Sequence, residues 1–307
     1  MDPRDVPILI LGFNRPDFLR ELFGELRELR PRRVYFAVDG PRSGTPADEE
    51  RVASSREQVK LIDWPCDVST RFNDSNLGCG LGVSSAISWF FENEEFGIIL
   101  EDDIRPDPSF FPFMAEMLSR FQDDERVFAV TGTNFVPSDY ISTEGAYRFS
   151  RIPVVWGWGT WRRAWQKYAF DIAGWHKNWS VMDAKRALGG TWSSYAYWSS
   201  HFALVSRGRI DTWDYQVVCA AMKSRALTVT PNVNLVTNVG FGSEATHTRK
   251  APSYLQERHV IDLEGLEHPD MQVDEMADGF QMADVYGASF RGMASKARRG
   301  LADMRAD

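Results

Sequence analysis

Three cysteines in 307 residues, Cys66, Cys79 and Cys219, are too few and too far apart for a disulfide framework or a CxxC metal pattern. Long apolar runs are also missing. None approaches the roughly 20 residues that span a bilayer, and the stretch Met1-Asp2-Pro3-Arg4-Asp5 is polar, so a cytoplasmic chain is expected. Positive charge is in deficit. The 35 Lys and Arg against 43 Asp and Glu leave a net charge of −8, which argues against a general nucleic-acid binder. No GxxxxGK[ST] stretch occurs, which removes a P-loop, and no GxSxG elbow supports a Ser-His-Asp hydrolase. The turn Gly78-x-Gly80-x-Gly82 fails the G-x-G-x-x-G spacing of a dinucleotide site. It is read as a helix entry, or as a turn that lets a ligand lie against the backbone.

What is present is an ordinary globular composition, 43% apolar and 25% charged, with one oddity. Eight of the 11 Trp residues lie between Trp156 and Trp198. Before that region, apolar runs alternate with amphipathic segments. Pro7 to Phe13, Val34 to Val38, Cys66 to Phe72, Phe96 to Leu100 and Val127 to Val130 read as strands. Between the first two strands, Phe18, Leu19, Leu22, Phe23, Leu26 and Leu29 recur at helical spacing, and Pro31 stops the helix. Thr45-Pro46 and Asp107-Pro108 read as N-cap and N1 pairs opening further helices. Strands alternating with helices of this length mean βαβ units and a mostly parallel, doubly wound α/β sheet. A helix is expected near Trp213 to Met222 and a strand over Ala226 to Thr230.

The stretch Phe96-Gly97-Ile98-Ile99-Leu100-Glu101-Asp102-Asp103 organises the rest. A buried strand ends in three carboxylates, which need a partner or a metal if they are withdrawn from water. In open α/β sheets ligands collect at the carboxyl ends of strands, where these acids fall. Alternation along extended chain sends Glu101 and Asp103 one way and Asp102 the other. Crowded carboxylates near a diphosphate favour a hard cation, Mg2+ or Mn2+.

A strand ending in Phe13-Asn14-Arg15-Pro16, a second ending in Val38-Asp39-Gly40, Asn76-Leu77-Gly78 before a helix, and Leu100-Glu101-Asp102-Asp103 follow one another in order. In that order the chain resembles a glycosyltransferase of the A-type fold, closest to the N-acetylglucosaminyltransferase I-like branch and its bacterial relatives. The resemblance covers about Pro7 to Thr248. It implies a Rossmann-like nucleotide-diphospho-sugar transferase fold, with a mostly parallel central sheet flanked by helices. It further implies that Arg15, Asp39, Asn76, Glu101 and Asp102 bind the nucleotide-sugar, and that Asp103 holds Mn2+ or Mg2+ on the diphosphate. His247 would complete the metal or touch phosphate, an ordinary surface His being the alternative. Asp214, in Trp213-Asp214-Tyr215, matches the acceptor-side carboxylate and is the candidate base, with a helix N-cap as the alternative and Asp211 as runner-up. Asp39 has a plain turn acid as its alternative. Trp158 and Trp161, in a Gly-rich run read as a surface loop, are expected to stack on sugar.

The expected function is an inverting, metal-dependent transfer of a hexosyl or N-acetylhexosaminyl group to a glycan or lipid-linked acceptor in polysaccharide assembly. The rivals are a sugar-phosphate nucleotidyltransferase and a non-catalytic carbohydrate-binding protein on the same fold. Residues 1–250 are expected to be the catalytic domain, with 1–135 the nucleotide-sugar half and 136–250 the acceptor half, and 251–307 a C-terminal extension. Arg291, Lys296, Arg298, Arg299 and Arg305, with Phe290, Met293, Ala297, Leu301 and Met304 at loose helical spacing, suggest a peripheral membrane contact at the inner face. A solvated tail is the alternative.

Overall fold

The computed structural model describes residues 1–177, 179–241 and 257–289. Strands and helices alternate as the periodicity requires: β1 (Ile8–Gly12), α1 (Pro16–Leu29), β2 (Arg33–Val38), α2 (Pro46–Glu57), β3 (Asp67–Phe72), α3 (Gly78–Asn93), β4 (Phe96–Glu101), β5 (Ile104–Pro106), α4 (Phe110–Arg120) and β6 (Val127–Thr131). Then come β7 (Tyr147–Ser150), β8 (Trp158–Trp161), α5 (Arg162–Trp165), α6 (Val181–Ala187), α7 (Trp192–Ser206), α8 (Asp214–Ser224), β9 (Leu227–Pro231), β10 (Val236–Asn238) and α9 (Glu275–Phe280). Helix α1 forms because Leu19, Leu22, Phe23 and Leu26 fall on one stripe and all four are buried. Each such side chain contributes roughly 1.5–3 kcal/mol on leaving water. Pro16 sits at N1 of α1, and Arg30 closes it in the left-handed conformation at φ 55°.

The main sheet has the order β3-β2-β1-β4-β8-β6-β9-β7. Strands β3, β2, β1 and β4 run parallel, β8 runs antiparallel between β4 and β6, β9 is parallel to β6, and β7 closes the edge antiparallel. The sheet is therefore mostly parallel and covered by helices on both faces, the α/β class read from the sequence. Ile98 and Leu100 face one core with α1 and α4, and Ile99 faces the other with α3 and α8. That alternation sends Glu101 toward the α3 and α8 face. A third apolar cluster, with Trp175, Tyr197, Trp198 and Phe202, holds α6 and α7 against α8.

The Trp-rich run departs from expectation. Trp158 and Trp161 are each 1% exposed and belong to β8, inside the sheet and not in a surface loop. Trp161 donates from Nε1 to the Leu118 carbonyl at 3.1 Å, and Trp158 stacks on Trp213 at 5.9 Å. The intervening glycine serves close packing: a Cβ on Gly159 would lie 2.7 Å from Met114 Cε and 3.0 Å from the Gly97 carbonyl oxygen. Neither indole presents a face to a sugar, so both leave the set of candidate acceptor residues. Asp107 builds a turn one step before α4, accepting from Ser109 N at 2.9 Å and Ser109 Oγ at 2.7 Å, while Ser109 takes the N-cap position.

Residues 257–289 are built onto the β7 edge. Val273 bridges to Phe149, and Asp278 accepts from Ser150 Oγ at 2.6 Å and Arg151 N at 3.0 Å. Asp274 caps α9 through Ala277 N at 3.0 Å and also accepts from Ser142 N, Ser142 Oγ and Thr143 N, each at 2.8 Å. Burial alone would raise this carboxyl, but those hydrogen bonds outweigh it and hold it at about 2. A lowered native value means stability that is present above the ordinary 3.8 and lost as pH falls toward 2. Asp274→Ala should cost about 2–4 kcal/mol in urea unfolding at pH 7, from the lost cap and the orphaned donors. The deficit should narrow below about pH 4; a pH-independent deficit would contradict this role.

Candidate active site

The loop after β1 is fixed before it reaches any ligand. Asn14 donates from Nδ2 to Asp48 Oδ1 at 2.8 Å in α2, and Arg51 Nε donates to the Asn14 carbonyl at 2.7 Å. The next residue, Arg15, precedes Pro16 and so stays out of the helix at φ −120°, ψ 70°. Its guanidinium therefore points across the top of the sheet to the end of β4. There it donates to both Asp102 oxygens, through Nε at 3.3 Å and through Nη2, and from Nη1 to Asp103 Oδ2 at 3.0 Å. The alternation expected for the three acids fails because the strand ends at Glu101 and the chain turns, so Asp102 and Asp103 share one arginine. Asp103 is held from the other side by the β10 end, where Val239 N donates to its carbonyl at 2.9 Å and Gly240 packs against its carboxylate.

One guanidinium does not balance this cluster. Burial pushes the Glu101 carboxyl well above its ordinary value, and the charges of Asp103, Asp102 and Asp214 add to it against Arg15. Burial, with Asp103, also carries Asp102 up to about 7 despite the Arg15 pair. Asp214 comes from far along the chain yet faces the same space. It stands at the first position of α8, with Trp213 as the N-cap residue. Its Oδ1 accepts from Thr212 Oγ1 and from Tyr215 N at 2.8 Å, while Oδ2 receives no hydrogen bond among the described residues. Cys79 registers the whole convergence. Its thiol is pushed up to about 12 by burial and then by Glu101, Asp214, Asp211 and Asp39.

Asp39 and Asn76 serve the loop that opens α3. Asp39 accepts from Gly40 N at 2.9 Å, Asn73 Nδ2 at 3.0 Å, Asn76 Nδ2 at 3.0 Å, and Leu77 N. Asn76 Oδ1 in turn accepts from Gly78 N at 3.2 Å. Asp211 receives Gly80 N at 3.0 Å on Oδ1, and a Cβ on Gly78, which sits at φ +81°, would be 2.8 Å from its Oδ2. The glycine turn thus admits two of the protein's own carboxylates to the positive end of a helix. His247 lies outside the described residues. Two aromatic side chains beyond those nominated lie against segments of the site. Trp156 is half-buried beside Phe135 and Phe241, and Phe170 is 45% exposed with its ring over Gly80. Trp156 carried a signal, since it heads the Trp-rich run; Phe170 carried none.

Among the described residues no three His, Cys, Asp or Glu side chains converge as a metal cage. The fit to a hard cation is of another kind. Mg2+ is commonly held by one or two carboxylates and completed by substrate phosphates and water. Asp103 is 15% exposed at its side chain, and its Oδ1 receives no hydrogen bond among the described residues. An uncompensated cluster of this sign would repel a diphosphate unless a cation joined it.

No family model matches the chain, and no curated protein matches it. Among solved structures, a UDP-glucose pyrophosphorylase complexed with UDP-glucose is similar at a TM-score of 0.37 and 9% identity, over 74% of this chain and 90% of that one. That similarity assigns neither residues nor activity here.

A raised native value at Glu101 means the folded state holds the proton more tightly than the unfolded chain does. Stability should then fall as pH rises above the ordinary 4.5. Glu101→Gln removes the repelled charge, so by thermal unfolding without added metal it should melt above the parent protein at pH 7 and converge with it near pH 4. Equal melting temperatures across that range would contradict the electrostatic reading.

Proposed function

We propose that the protein is a metal-dependent glycosyltransferase that moves a sugar from a nucleotide-diphospho-sugar to a hydroxyl of a glycan or lipid-linked acceptor, with inversion. The observation that carries this reading is the convergence of Glu101, Asp102 and Asp103 at the end of β4 with Asp214 at the start of α8. One acidic group then serves the donor and another the acceptor. Asp103 would hold Mn2+ or Mg2+, which neutralises the leaving diphosphate and orients it. Arg15, already aimed at this point, would add a second positive charge for the phosphates. Asp214 Oδ2 would take the acceptor proton as the acceptor oxygen forms its bond to the anomeric carbon and the bond from that carbon to the phosphate oxygen breaks. Positioned carboxylates supply roughly 10²–10⁴-fold in such transfers. In a sugar-phosphate nucleotidyltransferase the nucleophile is a phosphate oxygen, already ionised, which needs no base. The placement of Asp214 therefore favours sugar transfer.

The test is a pair of variants read in two assays. With UDP-, GDP- and dTDP-sugars as donor panel, Asp214→Asn should lose transfer at least roughly 10²-fold while keeping donor affinity in Mn2+. Asp103→Asn should lose both. Unimpaired transfer by Asp214→Asn would move the base elsewhere, and a retained anomer by NMR would exclude inversion.

A further inference from the structure

A second charged feature lies at the opposite end of α8, roughly 15 Å from Asp214 by helix rise. A cavity of about 220 Å³ is floored by Ala187, Met222, Ala226 and Leu227 and rimmed by Arg151, Arg186 and Arg225 with Asp183. Arg151 is spent on Glu275 and Asp278. Arg186 and Arg225 are not: each is about 70% exposed or more, and among the described residues the one carboxylate oxygen that each approaches is Asp183 Oδ1, at 3.8 Å. Two guanidiniums leaning on one shared carboxylate oxygen leave donors for a further anion.

Beside this cavity the surface turns apolar. Val181 is 55% exposed, Met182 48% and Trp192 51%. The patch is continuous with the cations, since Lys185 Nζ lies 5.0 Å over the Trp192 ring and Arg225 lies 5.8 Å over Trp179. On α6, Val181, Met182 and Arg186 are exposed and Lys185 is half-buried, while Ala184 and the following Leu188 are buried. Around the cavity and the patch Arg151, Lys185, Arg186 and Arg225 outnumber Asp183, Glu275 and Asp278, within a protein of net charge −8.

We infer that the α6 and α7 end is a docking surface for an anionic phospholipid bilayer, with Trp192, Val181 and Met182 entering the headgroup boundary and Arg186 and Arg225 receiving a lipid phosphate. Apolar and indole side chains ringed by cations match such an interface in both polarity and charge, and the cavity gives the phosphate a place beside an apolar floor. This inference does not rest on the transferase reading. It puts the active-site end of the sheet toward solvent and assigns the membrane contact to the folded domain.

Vesicle sedimentation of the full chain tests it. The protein should pellet with phosphatidylcholine–phosphatidylglycerol vesicles at low salt and not with phosphatidylcholine alone. Arg186→Gln with Arg225→Asn, the Asn chosen because it tolerates the left-handed backbone at φ 52°, should weaken the partition roughly 30-fold, the loss of two surface cations. Trp192→Ser should weaken it roughly tenfold or more, and residues 1–289 alone should retain it. The proposal is overturned if both variants pellet like the parent, if binding is lost only on removal of 290–307, or if Trp192→Ser abolishes a dimer in light scattering without changing the partition.

Discussion

Everything at the top of the sheet depends on one arginine set between two carboxylates. Arg15 is where it is because Pro16 fixes the start of α1 and because Asn14 is tied to α2. Its guanidinium reaches Asp102 and Asp103 together, and its fork is laid over the Phe18 ring at 5.3 Å. Ion pairs this far from water stabilise a fold only weakly, and breaking one leaves an uncompensated charge that costs several kcal/mol. The arrangement therefore specifies geometry more than it adds stability. It also leaves the cluster under-neutralised, with Glu101 on the adjoining face holding its proton against three other acids.

The same logic of opposed charges builds the neighbouring helix. Two carboxylates, Asp39 and Asp211, lie against the first turn of α3 and take its backbone N–H groups at Leu77 and Gly80. They occupy the positive end of the helix, which an anion would otherwise seek. The backbone donors there are met by side chains 38 and 131 residues away in sequence. The site is thus held by polar contacts between segments, while the apolar clusters on the two sheet faces hold the segments themselves.

How much of this was legible follows from where each signal lives. Helix α1, the parallel strands and the acids ending β4 are written in local periodicity, and they could be read directly. Asp214 was nominated only through resemblance, and in the structure its charge is felt at Glu101. The role of Trp158 and Trp161 was misread because glycines among tryptophans look the same in a loop and in a tightly packed strand. The distinction lies in Met114 and Gly97, which no local window contains. Asp39 and Asn76 read as ligand-facing residues, yet they form the frame of the α3 loop, a fact set by pairing across the chain.

The central claim is that the Arg15, Asp102 and Asp103 cluster accepts a diphosphate only together with a divalent cation. Calorimetric titration of the unmodified protein with UDP, GDP and dTDP, in Mn2+ and again in chelator, tests it most directly. The account predicts heat of binding for at least one nucleoside diphosphate in Mn2+ and none in chelator. Binding of equal strength with the cation removed would contradict it.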